Sequence, residues 1–468
     1  MRALVLLLGV LAPWYSALAA PETLSFDDVR VGMRGEGRTV FEGDRIEPFA
    51  VEIIGKLAGI GPGRDLILAR LEGGTLERTG VFAGMSGSPV YLDGKLIGAV
   101  AYAWGFATEP IAGITPVAEM QRVDRAGTPP NGRGTGRFEA AWRRFDRPAG
   151  WPALLRPDFS RLEAPGTARR LPLPLAWKGA DPAAVERWGA PLRDAGFLPL
   201  AGGSAAGEGG GVPLAPGAPI GIQLMRGDLD MTATGTVTWI DGDRIWAFGH
   251  PLFGLGATDL PLTEARVQTI LPSLMQSARF ATAGPVRGAL RQDRAAAIFG
   301  RLGGTAPTIP VRVEWTDDEG TERTFRFDVA DDPFLTPLLL YAGLGGILGG
   351  DENAALDASL ELLEGSAIAL EGGATLEVDD RFSGPDAVAT GAALPAVVLY
   401  LLAHNPWRPV RVAGVQLRYA YAPTGRTAAI ERIELDRSRA RPGERVEARV
   451  RYRPFRGPPR TLHAAFRV

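Results

Sequence analysis

The sequence predicts a mainly β protein, a double β-barrel followed by a C-terminal β-sandwich-like module. Three observations point there. Residues 24–123 and 220–329 alternate apolar and polar positions between frequent glycine turns, the period of strands with one buried face. Glu42-Gly43-Asp44-Arg45-Ile46 returns as Asp241-Gly242-Asp243-Arg244-Ile245, each shortly after a Thr-Val pair and before an apolar strand. Two related β-halves with chemistry at their seam would produce this echo; so would chance reuse of a Gly-Asp turn. Finally, strand runs at 366–378, 410–421, 430–435 and 446–452, with one helix before Asn405, read as a sandwich over residues 355–468.

In chain order, residues 1–19 carry Arg2, an apolar run from Ala3 to Leu11 and the small-residue site Ala17-Leu18-Ala19, the pattern of a secretory signal peptide. The run is too short to span a bilayer and is followed by Pro13, so no retained transmembrane anchor is expected. The first β-half occupies 24–123. Within it Asp93-Gly94 sits between Pro89-Val90-Tyr91-Leu92 and Lys95-Leu96-Ile97-Gly98-Ala99-Val100, a strong hairpin signal. Residues 124–219, rich in Pro, Gly and Arg with short helical pieces at 138–145 and 183–192, read as an insert or linker. The second β-half follows at 220–350, broken by an expected helix from Leu262 to Ala281 and closed by a helix over 333–349. The apolar runs 334–348 and 387–403 are interrupted by Pro or Gly and read as buried helices. The last run stops at Val468 in mid-pattern: either the final strand closes its sheet or the chain is truncated.

Of the 468 residues, 46% are hydrophobic, enough for real cores, and the net charge of -2 supplies no basic field for nucleic acid. There is no cysteine, hence no disulfide, lipidated cysteine or thiol chemistry. A periplasmic or secreted protein of this kind stands on packing alone. Metal binding at the histidines is not expected, because none has a second His or Cys nearby, and no cofactor is implied.

The chemistry concentrates at Gly84-Met85-Ser86-Gly87-Ser88-Pro89. Flanking glycines allow a sharp turn and leave an approaching carbonyl unobstructed. Ser86 reads as a nucleophile, with the amides of Gly84 and Ser86 as an oxyanion hole. The plainer reading is a turn whose serines hydrogen-bond locally. A serine nucleophile needs a base, and there are three histidines. His463 lies in a terminal strand run and His404 at a helix end. His250, in Trp246-Ala247-Phe248-Gly249-His250-Pro251, is held at a strand end between glycines; a satisfied core histidine is the ordinary alternative. Asp65, Glu72, Asp241, Asp243 and Asp259 are the carboxylates placed to orient it, and the sequence alone does not choose among them.

These residues resemble the SpoIVB serine peptidases, of the chymotrypsin-like clan. The resemblance runs through Arg64-Asp65-Leu66-Ile67-Leu68, Leu76-Glu77-Arg78-Thr79-Gly80, the Gly84 hexapeptide and Gly94 to Val100. A histidine block is similar at Gly235-Thr236-Val237-Thr238 and Ala247-Phe248-Gly249-His250, with Ile298-Phe299-Gly300 beyond it. The two blocks stand in the reverse of the family's order, a permutation that a long linker allows. The resemblance implies Ser86 as nucleophile, His250 as base and Glu72 as the orienting acid, where the family has Asp; Asp65 and Asp259 remain the alternative acids from the reading of the residues. Tyr102, Trp104 and Gly105 would line the substrate pocket. The expected function is an exported serine endopeptidase acting on a peptide or protein. The alternative is a non-catalytic envelope binding or scaffold protein, with an envelope partner docked on the C-terminal module.

Overall fold

The computed structural model describes residues 21–104, 107–125, 150–155, 169–202, 212–349 and 357–468. The expected leader (1–19) and the helical piece at 138–145 lie outside them.

The first sheet contains β1 (Arg34–Val40), β2 (Ile46–Gly61), β3 (Arg64–Glu72), β4 (Pro89–Leu92), β5 (Lys95–Ala103), β6 (Ile111–Pro116) and the short β7 (Arg169–Arg170). Its order is β4-β1-β2-β3-β6-β5-β7, and the β4–β5 pairing closes six of these strands into a barrel. Alternation along β2 and β3 points Phe49, Ile53, Ile67 and Leu71 into a core shared with Val90 of β4 and Ile114 of β6. The Asp93-Gly94 turn has the two left-handed residues that a tight hairpin requires, with φ of 49° and 75°.

The second half departs from the expected double barrel. It holds β8 (Leu173–Lys178), β9 (Phe197–Gly202), β10 (Pro219–Gly227), β11 (Asp230–Asp241), β12 (Arg244–Ala247), β13 (Gly256–Leu271), β14 (Ala278–Arg294), β15 (Ala297–Leu302), β16 (Thr308–Thr316) and β17 (Glu322–Ala330). The chain continues through β18 (Ser359–Leu362), β19 (Ala367–Leu370), β20 (Thr375–Glu377), β21 (Asp380–Ser383) and β22 (Val412–Ala422). All fifteen belong to one sheet, in which β10 branches to β11, β13 and β17. The first sheet stands by itself as a closed barrel; the second half does not, because the strands joined by the β10–β11 pairing continue on both sides into the rest of the fifteen-stranded sheet. The echoed Gly-Asp motifs are two hairpin turns with left-handed Gly43 and Gly242, shared turn chemistry on unlike sheets.

The C-terminal sandwich is corrected too. β22 pairs in parallel with β16, from Val311↔Val415 to Thr316↔Ala420, so this part of the chain extends the large sheet. Only β23 (Ala428–Leu435), β24 (Arg445–Pro454) and β25 (Arg460–Arg467) form a separate three-stranded sheet, and it is mostly exposed. Parallel pairing between distant segments leaves no local mark in a sequence.

The two expected C-terminal helices are present and buried, Leu335–Leu348 and Ala387–His404. The second is long and apolar enough to cross a membrane, but 78% of it is buried inside the protein. The helix expected over 262–281 is absent; those residues form the long hairpin β13–β14. Repeated register shifts along this pair, as at Leu262/Thr263 and Val267/Thr269, break strict alternation and hide the strand period.

That hairpin ties the halves together. Gly43 and Val267 exchange backbone hydrogen bonds of 3.1 and 3.3 Å, and Ile270 enters the core of the barrel. Nearby, Trp239 and Trp246 stack at 4.3 Å in a cluster with Leu96, Ala99 and Met120 of the first half.

A chain ending at Thr427, which removes only β23–β25, is expected to keep a cooperative thermal transition within a few degrees of the full chain. Ending it at Leu348 strips β22 from β16 and removes the buried helix, and should abolish that transition in circular dichroism. Equal melting of both truncations would contradict this division of the core.

Candidate functional site

The Gly84–Ser88 turn is pressed against β11. Thr236 N donates to Ser86 O at 2.8 Å, Thr236 Oγ1 to Gly84 O at 3.0 Å, and Thr238 Oγ1 to Gly87 O at 2.8 Å. Thr236 and Thr238 share a face because strand side chains alternate, which gives the Gly-Thr-x-Thr pattern its physical reason. Gly87 has φ of +93°, and a Cβ there would lie 2.0 Å from Thr236 O and 2.5 Å from Phe248 N. Only glycine allows this approach.

The same contact brings in the histidine segment. Phe248 N donates to Thr236 O at 3.2 Å, and Thr115 Oγ1 to Gly249 O at 2.6 Å. Phe248 and Gly249 both take left-handed φ, 71° and 70°, and for phenylalanine that is strained. Ser86 and His250, far apart in sequence, therefore lie on segments packed against the same stretch of β11.

Both side chains are buried, with Ser86 at 0% and His250 at 1% exposure. Ser86 Oγ and His250 Nε2 have no hydrogen-bond partner among the described residues, each other included. Of the turn's amides, Met85, Gly87 and Ser88 are committed to Phe82 O, Val100 O and Met85 O, whereas Gly84 and Ser86 donate to nothing among the described residues. His250 Nδ1 lies 2.8 Å from Pro251 O. A carbonyl only accepts, so Nδ1 carries the proton and Nε2 keeps a free lone pair. Burial, with Arg170 and then Arg64 opposing a positive charge, lowers the imidazole pKa to about 3, against a raising contribution from the Pro251 carbonyl. His250 is neutral at ordinary pH.

None of the candidate acids hydrogen-bonds this imidazole. Glu72 is exposed at the end of β3, Asp65 accepts from Gly59 N at 2.9 Å, and Asp259 pairs with Arg291. Asp241 pairs with Arg244 and Asp243 with Arg301. Of the expected pocket residues, Tyr102 is buried, with its hydroxyl accepting from Arg64 Nη2 at 2.8 Å. Trp104 packs beside it, and Gly105 lies outside the described residues.

Two buried residues here had no sequence signal. Asp293, in β14, accepts from the amides of Leu252 and Phe253 at 2.8 Å and Leu255 at 3.0 Å, holding the loop that follows His250. Burial pushes its pKa up, against those amides. Arg279 stands beside Gly84, its Nη2 bonded to Gly235 O and, at 3.2 Å, to Thr236 Oγ1. It sits in the stretch expected as a helix, and that misreading concealed it.

Residues 25–120 match the model of the family described as SpoIVB peptidase S55. The match includes the Ser86 turn, stops short of the histidine block, and is consistent with a serine-type peptidase. No curated protein and no solved structure matches the chain.

Asp293→Ala would leave two buried amides and the part-buried amide of Leu255 without an acceptor and should cost about 3 kcal/mol in urea unfolding. Because folding holds His250 neutral, the unfolded chain binds the extra proton between about pH 6.5 and about pH 3. Stability from this group is thus complete above about pH 6.5 and is lost as pH falls toward 3. In His250→Gln, the acid side of a stability-against-pH curve should be flatter; an unchanged slope would contradict a neutral buried imidazole.

Proposed function

We propose that the protein is an exported serine endopeptidase that uses Ser86 as nucleophile, His250 as base and the Gly84 and Ser86 amides as oxyanion donors. The observation that carries this is the set of unspent groups on one packed seam: a hydroxyl, an imidazole lone pair and two amides. Unsatisfied buried polar groups are costly, and a site that keeps several together holds them for a reacting group. Export rests on the leader pattern of residues 1–19.

In this reading Nε2 of His250 takes the Ser86 proton as Oγ attacks a peptide carbonyl. The two amides receive the oxygen on which negative charge develops. His250 then protonates the leaving amine, and water repeats the sequence on the acyl-enzyme. Pro251 O takes the place of the usual orienting carboxylate: it fixes the tautomer and supplies only a dipole to stabilise imidazolium. A base held near pKa 3 is a weak one, so turnover is expected to be slow. Hydrogen bonds between catalytic groups commonly tighten only with substrate bound, which accommodates the separate resting positions of Ser86 and His250. Since both are buried, substrate reaches them only when the segments above them part.

The missing Ser86–His250 hydrogen bond favours a second reading, a peptide-binding envelope protein without turnover. A fluorophosphonate probe separates the two. Covalent labelling of the full chain at Ser86, absent in Ser86→Ala and reduced about 100-fold or more in His250→Ala, is the expected result. Folded protein that never labels, and leaves peptides intact over days, would leave only the binding role.

A further inference from the structure

We infer that Arg279 is the receptor for a carboxylate on the bound peptide, next to the bond that Ser86 attacks. The inference rests on the peptide-binding seam proposed above and adds the chemistry of its ligand.

Arg279 is wholly buried, yet its Nε and Nη1 have no hydrogen-bond partner among the described residues. Its Nη2 reaches only a carbonyl and a hydroxyl. No carboxylate among the described residues acts on its ionisation: desolvation is the one influence, and it lowers the pKa to about 9. It therefore stays charged at neutral pH while paying for burial without a counter-ion. Buried cations are ordinarily paired, and an arginine without an anion is strongly disfavoured unless one arrives.

Its position identifies where the anion would lie. Arg279 N donates to Ala83 O at 2.9 Å, and Ala83 N to Ser277 O at 2.8 Å, which pins β14 alongside the turn. A Cβ on Gly84 would stand 3.1 Å from Arg279 Cβ and 3.2 Å from its Nε. The free guanidinium hydrogens thus border the residue whose amide forms half of the oxyanion hole. Thr236 Oγ1 bonds both Gly84 O and Arg279, so guanidinium and turn are held as one unit. A guanidinium binds carboxylates through strong charge-assisted hydrogen bonds, and a peptide offers two kinds: an acidic side chain or a free C-terminus.

The test measures binding, so it does not require turnover. Four fluorescent hexapeptides differing only in an internal Asp or Asn, and in a C-terminal carboxylate or amide, are titrated against full-length Ser86→Ala by anisotropy. At least one carboxylate peptide should bind about tenfold or more tightly than its amide twin. The internal pair and the terminal pair distinguish side chain from chain end. The preference should vanish in Arg279→Gln and persist, weakened, in Arg279→Lys, each checked for folding by circular dichroism. Four peptides binding within twofold of one another, or none binding, overturns the inference whatever the variants do. A preference that survives in folded Arg279→Gln also overturns it. Loss of fluorophosphonate labelling with the carboxylate preference intact would instead remove only the peptidase chemistry.

Discussion

The close approach of the Gly84–Ser88 turn to β11 is the contact on which the site depends. It exists because Gly87 has no side chain and because Thr236 and Thr238 direct two hydroxyls at the turn's carbonyls. The same strand receives Phe248 N through Thr236 O. The N–H and C=O of Thr236 thus hold the serine turn and the histidine segment at one edge of the same strand. Strain is concentrated there, in the left-handed Phe248 and Gly249, and is held by surrounding packing and by the Asp293 clamp.

The hydrogen-bond economy of the turn explains why it is chemically distinctive. The amides of Met85, Gly87 and Ser88 are committed to structure, and those of Gly84 and Ser86 are left over among the described residues. Ser88 Oγ donates within the turn, to Met85 O at 2.6 Å, while Ser86 Oγ has no partner among the described residues. Charge follows the same pattern. His250 is neutral because it is dry and flanked by arginines, and Arg279 is charged but has no counter-ion. Burial favours the neutral imidazole but leaves its Nε2, like Nε and Nη1 of Arg279, without a partner among the described residues.

The large sheet supports this seam without forming a second barrel. A separate barrel would have ended with its own strands. Here the branching of β10 and the parallel β16–β22 pairing carry the sheet outward until the buried helices cover it. The hairpin β13–β14 crosses to the first half, so the two halves share core residues such as Ile270.

Local chemistry made much of this legible in the sequence: strand alternation, the Asp93-Gly94 hairpin, the two apolar helices, and the serine and histidine blocks. Each depends on residues close in the chain, where backbone preference and periodicity act. Tertiary structure alone decided how distant strands pair, that bulged β13–β14 is a hairpin and not a helix, and that Pro251 O rather than Glu72, Asp65 or Asp259 bonds the imidazole. It also decided the placement of Arg279 and Asp293, whose neighbours in sequence say nothing of their burial. Hydrogen bonds between remote segments and the loss of water around a charge are set by what packs against what, and no window of sequence contains both partners.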